Sequence, residues 1–183
     1  GAQAADALAS QVNNKGKVGI IAHVAGTSSA IERSEGFMER MKEKYPDIKV
    51  LPVQYSDGDP QKAMDKTIDM IQANPDLAGI YGTNEGSTLG VANAIDSQNL
   101  KGKVKVIGFD STEAIINFLK NGVIQGFVVQ DAYQIGYQGI KTLNAALSGQ
   151  AVEKEIDIPV KFVNAENINT PEIDKLLHPF GKK

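Results

Sequence analysis

Polar side chains stand at the carboxyl ends of successive apolar runs, and they are the residues of this sequence best suited to chemistry. KVGIIA (17–22) ends at His23, LAGIYGT (77–83) at Asn84, KVKVIGF (103–109) at Asp110 and VIQGFVV (123–129) at Gln130. IKVLPVQY (48–55) ends in the turn SDGDP. Arg33 lies about one turn into the helix expected after His23. Imidazole, guanidinium, carboxylate and carboxamide groups all make hydrogen bonds, and planar Asp, Asn and Arg can each engage two vicinal hydroxyls. Such a set suits a neutral ligand rich in hydroxyls. Aromatic rings cover apolar C–H faces, and Tyr55, Tyr81, Phe109 and Tyr133 flank the polar positions.

Other chemistries lack their residues. Neither GxxxxGK[ST] nor GxGxxG occurs, so the loop 23–29 offers amides to an anion without the glycine fingerprint of a nucleotide site. Ser28 or Ser29 with His23 and Asp110 would make a nucleophile set, but GxSxG is absent and hydroxyls at a helix start ordinarily cap it. Asp57, Asp59 and Asp110 lack the acidic pair after the first strand that would build a magnesium site, and SDGD lacks the downstream Glu of a calcium loop. Cysteine is absent, and His23 and His178 are far apart with no HExxH. No metal, cofactor or enzymatic activity is therefore expected.

The elements that must position these residues are legible from periodicity. The 183 residues are 42% apolar and 22% charged, ordinary for a globular chain with a core. Net charge is −3 without a basic block, which disfavours nucleic acid as a partner. No apolar run approaches the roughly 18 residues of a membrane span. No signal-peptide pattern precedes the first helix. Helices are expected at 2–13, 29–45, 59–73, 85–97, 112–121, 131–147 and 171–177. Ser29–Glu32 and Asp131–Gln134 read as capping boxes, and Asp59-Pro60 as an N-cap with proline at the first helical position. Pro52 puts the run 48–55 at a sheet edge. The alternating segment 151–163 reads as an exposed or edge strand, and the tail HPFGKK as loose. Strand–helix alternation five times over gives an α/β fold: an open parallel sheet with helices on both faces and the polar residues on its ligand-binding rim.

AGTSSAIERSEGF (25–37), GTNEGSTLGVANAI (82–95), KVIGFDSTE (105–113) and GVIQGFVVQDAYQIGYQGIKTL (122–143) resemble the type I periplasmic sugar-binding proteins, and within them the ribose-binding group that feeds ABC transporters. The resemblance covers nearly the whole chain, in the family's order. It implies that Arg33 clamps sugar hydroxyls, with Asn84, Asp110 and Gln130 as further sugar ligands; His23 and Tyr133 join them by position. Two departures bear on which monosaccharide is bound. Gly58 stands where ribose binders carry an aromatic residue, and His23 where a smaller residue is expected.

The resemblance also implies a flavodoxin-like lobe. Residues 1–122 would form the second, C-terminal sugar-binding lobe; 123–149 a strand and helix that recross to the first lobe; and 150–183 a returning strand and C-terminal helix. The first lobe is missing, so the strand–helix unit should dock on this sheet as an extra element or swap with a second copy. The implied partners are a sugar, the missing N-terminal lobe or a second copy, and a membrane permease. The implied location is periplasmic or extracellular, as a lipoprotein in a Gram-positive parent. The alternative is the effector-binding core of a LacI-like repressor, which would need a helix-turn-helix that these residues do not contain.

Overall fold

The computed structural model describes residues 1–181. The elements run α1 (Ala2–Gln11), β1 (Gly16–Ala22), α2 (Ser28–Lys44), β2 (Ile48–Val50), β3 (Gln54–Tyr55), α3 (Pro60–Ala73), β4 (Leu77–Gly82), α4 (Glu85–Ser97), β5 (Lys105–Phe109), α5 (Glu113–Lys120), β6 (Gly126–Val129), α6 (Ala132–Leu147), β7 (Lys161–Asn164) and α7 (Pro171–Leu177). The sheet order is β2-β1-β4-β5-β6-β7, with β3 also paired to β1. Every pairing is parallel except that of β6 with β7. The carboxyl ends of β1, β3, β4, β5 and β6 therefore share one rim.

Strand side chains alternate between faces, and two cores result. Val18, Ile20, Tyr81, Ile107 and Val128 pack with Leu8, Phe37 and Met41 of α1 and α2. Ile21, Ile80, Val106 and Phe127 pack with Met70, Val91, Ile95, Ile115 and Ile173 of α3, α4, α5 and α7. Both faces are thus covered, which is why the central runs are nearly continuous apolar sequence. Asp6 ties α1 to α2 by accepting from Arg40 Nε at 2.7 Å and Tyr45 Oη at 2.9 Å.

Close approach of α4 to its neighbours sets the rim. A methyl group at Gly90 would meet the Ala63 side chain and the Pro60 carbonyl oxygen. Thr88 can then reach the sheet: its hydroxyl accepts from Phe109 N at 2.9 Å and lies 3.3 Å from the Gly82 carbonyl oxygen. This bond set fixes the ends of β4 and β5, from which Asn84 and Asp110 project.

Several local expectations are met. Asp59 caps α3 by accepting from Lys62 N at 2.8 Å, with Pro60 at the first helical position. Asp131 caps α6 by accepting from Gln134 N at 2.9 Å. Pro52 lies beside the edge strand, and the residues around it divide the expected strand 48–55 into β2 and β3. The expected strand 151–163 forms only at Lys161–Asn164, as an antiparallel edge. Of the tail expected to be loose, residues 182–183 lie outside the described residues.

One expectation is corrected. The Ser29–Glu32 capping box does not form; Thr27 is the N-cap of α2 without a side-chain cap bond, and Ser29 bonds His23 instead. The strand–helix unit at 123–149 divides. Its strand, β6, pairs with β5 inside this sheet, whereas α6 buries none of its residues and meets the C-terminal segment through Tyr133 against Phe180. Helices already occupy both faces of the sheet, and β7 takes the edge beside β6. The apolar side of α6 is left open, with Ile140 70% and Leu147 80% exposed.

Candidate functional site

The rim brings four of the predicted residues together around Arg33. From the second turn of α2, Arg33 reaches across the sheet ends. Its Nη1 donates to the Thr83 carbonyl at 2.7 Å, and its Nη2 to Gln130 Oε1 at 3.1 Å. The guanidinium carbon lies 3.6 Å from the centroid of the Phe109 ring. His23 Nδ1 is 2.9 Å from Thr83 Oγ1, and its Nε2 is 2.9 Å from Ser29 Oγ. Burial, reinforced by the nearby Arg33 charge and opposed by Asp110, holds the His23 pKa below its ordinary value. The imidazole's second nitrogen faces a hydroxyl and not a carboxylate, so the Ser29–His23 pair lacks the acid of a triad.

Asn84 and Asp110 meet at the N-terminus of α4. Asn84 Oδ1 accepts from Ser87 N at 3.0 Å, and Asp110 Oδ2 accepts from Glu85 N at 2.9 Å. The positive end of the helix dipole favours a carboxylate there. Asp110 holds a left-handed backbone, with φ of 73°. This conformation is uncommon outside glycine, although Asp and Asn tolerate it, and it collects at functional sites. The Asp110 amide, donating to the Val128 carbonyl at 2.9 Å, ties that turn to β6.

These bonds decide what the rim presents. Asn84 and Gln130 spend their side-chain oxygens on protein donors, so each keeps its NH2 group for a further acceptor. Arg33 commits two of its five N–H groups. Asp110 commits one oxygen and keeps the other. Among the described residues, neither Arg33 nor Asp110 forms an ion pair. The alternatives of Arg33 pairing with Glu32 or Glu35 are therefore not realised. The result is a donor-rich rim with one carboxylate acceptor, chemistry that fits hydroxyls able to give and accept together. The described residues contain no group of three His, Cys, Asp or Glu placed to hold a metal ion.

The aromatic expectation is largely corrected. Tyr81 is wholly buried and stacks on Phe37 at 5.0 Å between ring centroids. Among the described residues its hydroxyl has no hydrogen-bond partner, and burial raises its pKa. Phe109 is buried beneath Arg33. Tyr133 is not brought to the Arg33 group: its ring neighbours are Tyr137 at 6.2 Å and Phe180 at 5.8 Å. Together with Pro159 and Leu176 it lines a separate hollow of about 560 Å³. Tyr55 remains exposed on the rim at the end of β3. Sequence reasoning missed Thr83, which has no motif; its only signal is its place between the strand end and Asn84.

Comparison with known proteins agrees with this fold. Residues 1–151 match the model of the periplasmic binding protein domain family. The chain is 30% identical over 164 residues to the ribose import binding protein RbsB of Haemophilus influenzae, covering 90% of this chain and 55% of that protein. It is 33% identical over 138 residues to the D-allose-binding periplasmic protein of Escherichia coli, covering 75% of this chain and 44% of that one. Among solved structures, a carbohydrate transporter solute-binding protein from Agrobacterium radiobacter in complex with D-arabinose superposes with a TM-score of 0.93 at 39% identity, covering 96% of this chain and 61% of its own. An ABC transporter solute-binding protein from Agrobacterium vitis bound with α-D-tagatopyranose gives 0.93 at 34% identity, covering 96% and 59%. The chain thus spans about half the length of these relatives. A family match over most of its residues shows that the chain belongs to the periplasmic binding protein domain family.

Proposed function

We propose that this chain is one lobe of a monosaccharide-binding protein that delivers a pentose or hexose to an ABC-type permease, outside the cytoplasmic membrane. The observation that supports it most directly is the polarity of the rim. Arg33, Asn84 and Gln130 offer donors, and Asp110 offers an acceptor, with Arg33 and Asp110 free of ion pairs among the described residues. A sugar satisfies both kinds of group at once. His23 shapes the same rim. Tyr133 joins it only if α6 moves from its present place against Phe180.

The relatives' names supply the ligand class: ribose, allose, arabinose and tagatopyranose binding are stated for those proteins. Their greater length supplies the second wall. The remaining lobe of such a protein, or a second copy of this chain in its place, covers α6 and faces the rim across the ligand. Half a cleft leaves the sugar solvated on one side, where hydrogen bonds contribute little net energy. This chain alone therefore binds weakly, and a hinged pair of lobes tightly.

Calorimetric titration of this chain with a panel of pentoses and hexoses tests the reading. Saturable heat with a subset of epimers supports it; equal responses to every sugar, including those lacking a hydroxyl array, count against it.

A further inference from the structure

Arg33 is held by backbone and amide oxygens, and the residue that supplies the backbone oxygen also belongs to a closed ring of bonds. The Arg33 Nη1 bond of 2.7 Å ends on the carbonyl of Thr83, a residue with no exposed surface. The Thr83 hydroxyl meets His23 Nδ1 at 2.9 Å, and His23 Nε2 meets Ser29 Oγ at 2.9 Å. Ser29 and Arg33 both lie on α2. The path therefore leaves α2 at Ser29, passes through His23 and Thr83, and returns to α2 at Arg33. It locks the start of that helix to the end of β4.

We propose that His23 and Thr83 are a positioning pair for Arg33, effective only while the imidazole is neutral; its purpose rests on the sugar-binding reading, but its geometry does not. A neutral ring has one donor and one acceptor, which matches two hydroxyl partners. An imidazolium must donate from both nitrogens. Thr83 Oγ1 would then have to accept, and its own proton would need another acceptor. Among the described residues that hydroxyl has only His23. A buried donor without a partner is costly.

The charges around the ring point the same way. Arg33 from α2 opposes a second positive charge, and Asp110 from the turn after β5 favours it. Asp57, whose amide donates to the His23 carbonyl at 3.1 Å, has its carboxylate 3.1 Å from Lys62 Nζ. Burial and Arg33 prevail over Asp110, and the ring resists protonation. A guanidinium set in place beforehand loses less freedom when ligand arrives.

The test uses the whole chain with ¹⁵N-labelled histidine and arginine. In the wild type, His23 is expected as a single tautomer that titrates below free imidazole, and the Arg33 Nη groups as separate signals in the cold because their rotation is hindered. Thr83→Val keeps the shape and the carbonyl but removes the hydroxyl. It should mix the His23 tautomers and merge the Arg33 signals, and Thr83→Ser should restore both. His23→Phe, at a half-buried site, should merge the Arg33 signals as well and serves if Thr83→Val does not fold. Sugar affinity should fall roughly 2- to 10-fold in Thr83→Val, the range of one lost hydrogen bond, and recover in Thr83→Ser. In the wild type it should decline as pH falls through the His23 titration, a dependence that His23→Phe abolishes. Arg33 signals unchanged in both Thr83→Val and His23→Phe would overturn the proposal. Arg33 signals that respond in the variants while the wild-type chain binds no sugar at any pH would refute the sugar reading and leave the positioning pair standing.

Discussion

Arg33 rests on Phe109, its guanidinium carbon 3.6 Å from the ring centroid, and that ring is only 3% exposed. One aromatic residue is thus core on its lower side and a platform for a cation on its upper side. A desolvated contact of this kind contributes about 1–2 kcal/mol. Phe109→Leu keeps most of the apolar volume and removes the ring quadrupole. Sugar affinity should fall about 5- to 30-fold with little change in melting temperature. Unchanged affinity would mean that Thr83 and Gln130 hold Arg33 without the ring.

Asp110 combines a backbone role with the ligand role proposed for it, and two variants separate them. Asp110→Ala loses the bond to Glu85 N and places alanine at φ of 73°. It should cost about 1–3 kcal/mol in denaturant unfolding. Asp110→Asn tolerates the left-handed backbone and can still accept from Glu85 N. It should keep most of the stability and still weaken sugar binding. Equal loss of stability in both variants would place the charge itself in the fold.

Tyr81 tests the core beneath the rim. Its hydroxyl is buried without a partner among the described residues. Tyr81→Phe removes that group and retains the stack on Phe37. An unsatisfied buried hydroxyl costs about 1–3 kcal/mol, so the variant should be more stable by an amount of this order. Destabilisation on urea unfolding would show that the hydroxyl has a partner, such as an internal water.

The open side of α6 should draw a second copy when no other lobe covers it. Tyr137, Ile140, Leu143 and Leu147 are all more than half exposed, and contiguous apolar surface of this kind marks an interface. Light scattering should show the mass of the isolated chain rising with concentration. The double substitution Ile140→Lys and Leu143→Lys should abolish the rise. A monomeric mass at every concentration would contradict it.

The sheet and its rim were legible because each buried parallel strand is a short apolar run that stops at a polar residue. His23, Asn84, Asp110 and Gln130 could be placed on one rim from that alone, and Arg33 from one helical turn. What periodicity cannot show is which rotamers converge. Tyr81 and Phe109 look alike in sequence as aromatics near the rim, yet one is sealed against Phe37 and the other lies under a guanidinium. Ser29 carries a capping signature, but the imidazole of His23 competes for its hydroxyl and wins. Thr83 carries no signature, because its carbonyl is half of its role. The amphipathic pattern of α6 correctly marks an apolar face, but no described residue buries it.

The most direct test of the central claim is a titration of this chain with pentoses and hexoses into the millimolar range. Chemical-shift changes and heat would be followed together in the wild type, Arg33→Ala and Asp110→Ala. The account predicts weak saturable binding of a subset of sugars, with shifts centred on Asn84, Asp110 and Gln130, lost in both variants. Binding that survives both substitutions, or shifts centred away from this rim, would contradict it.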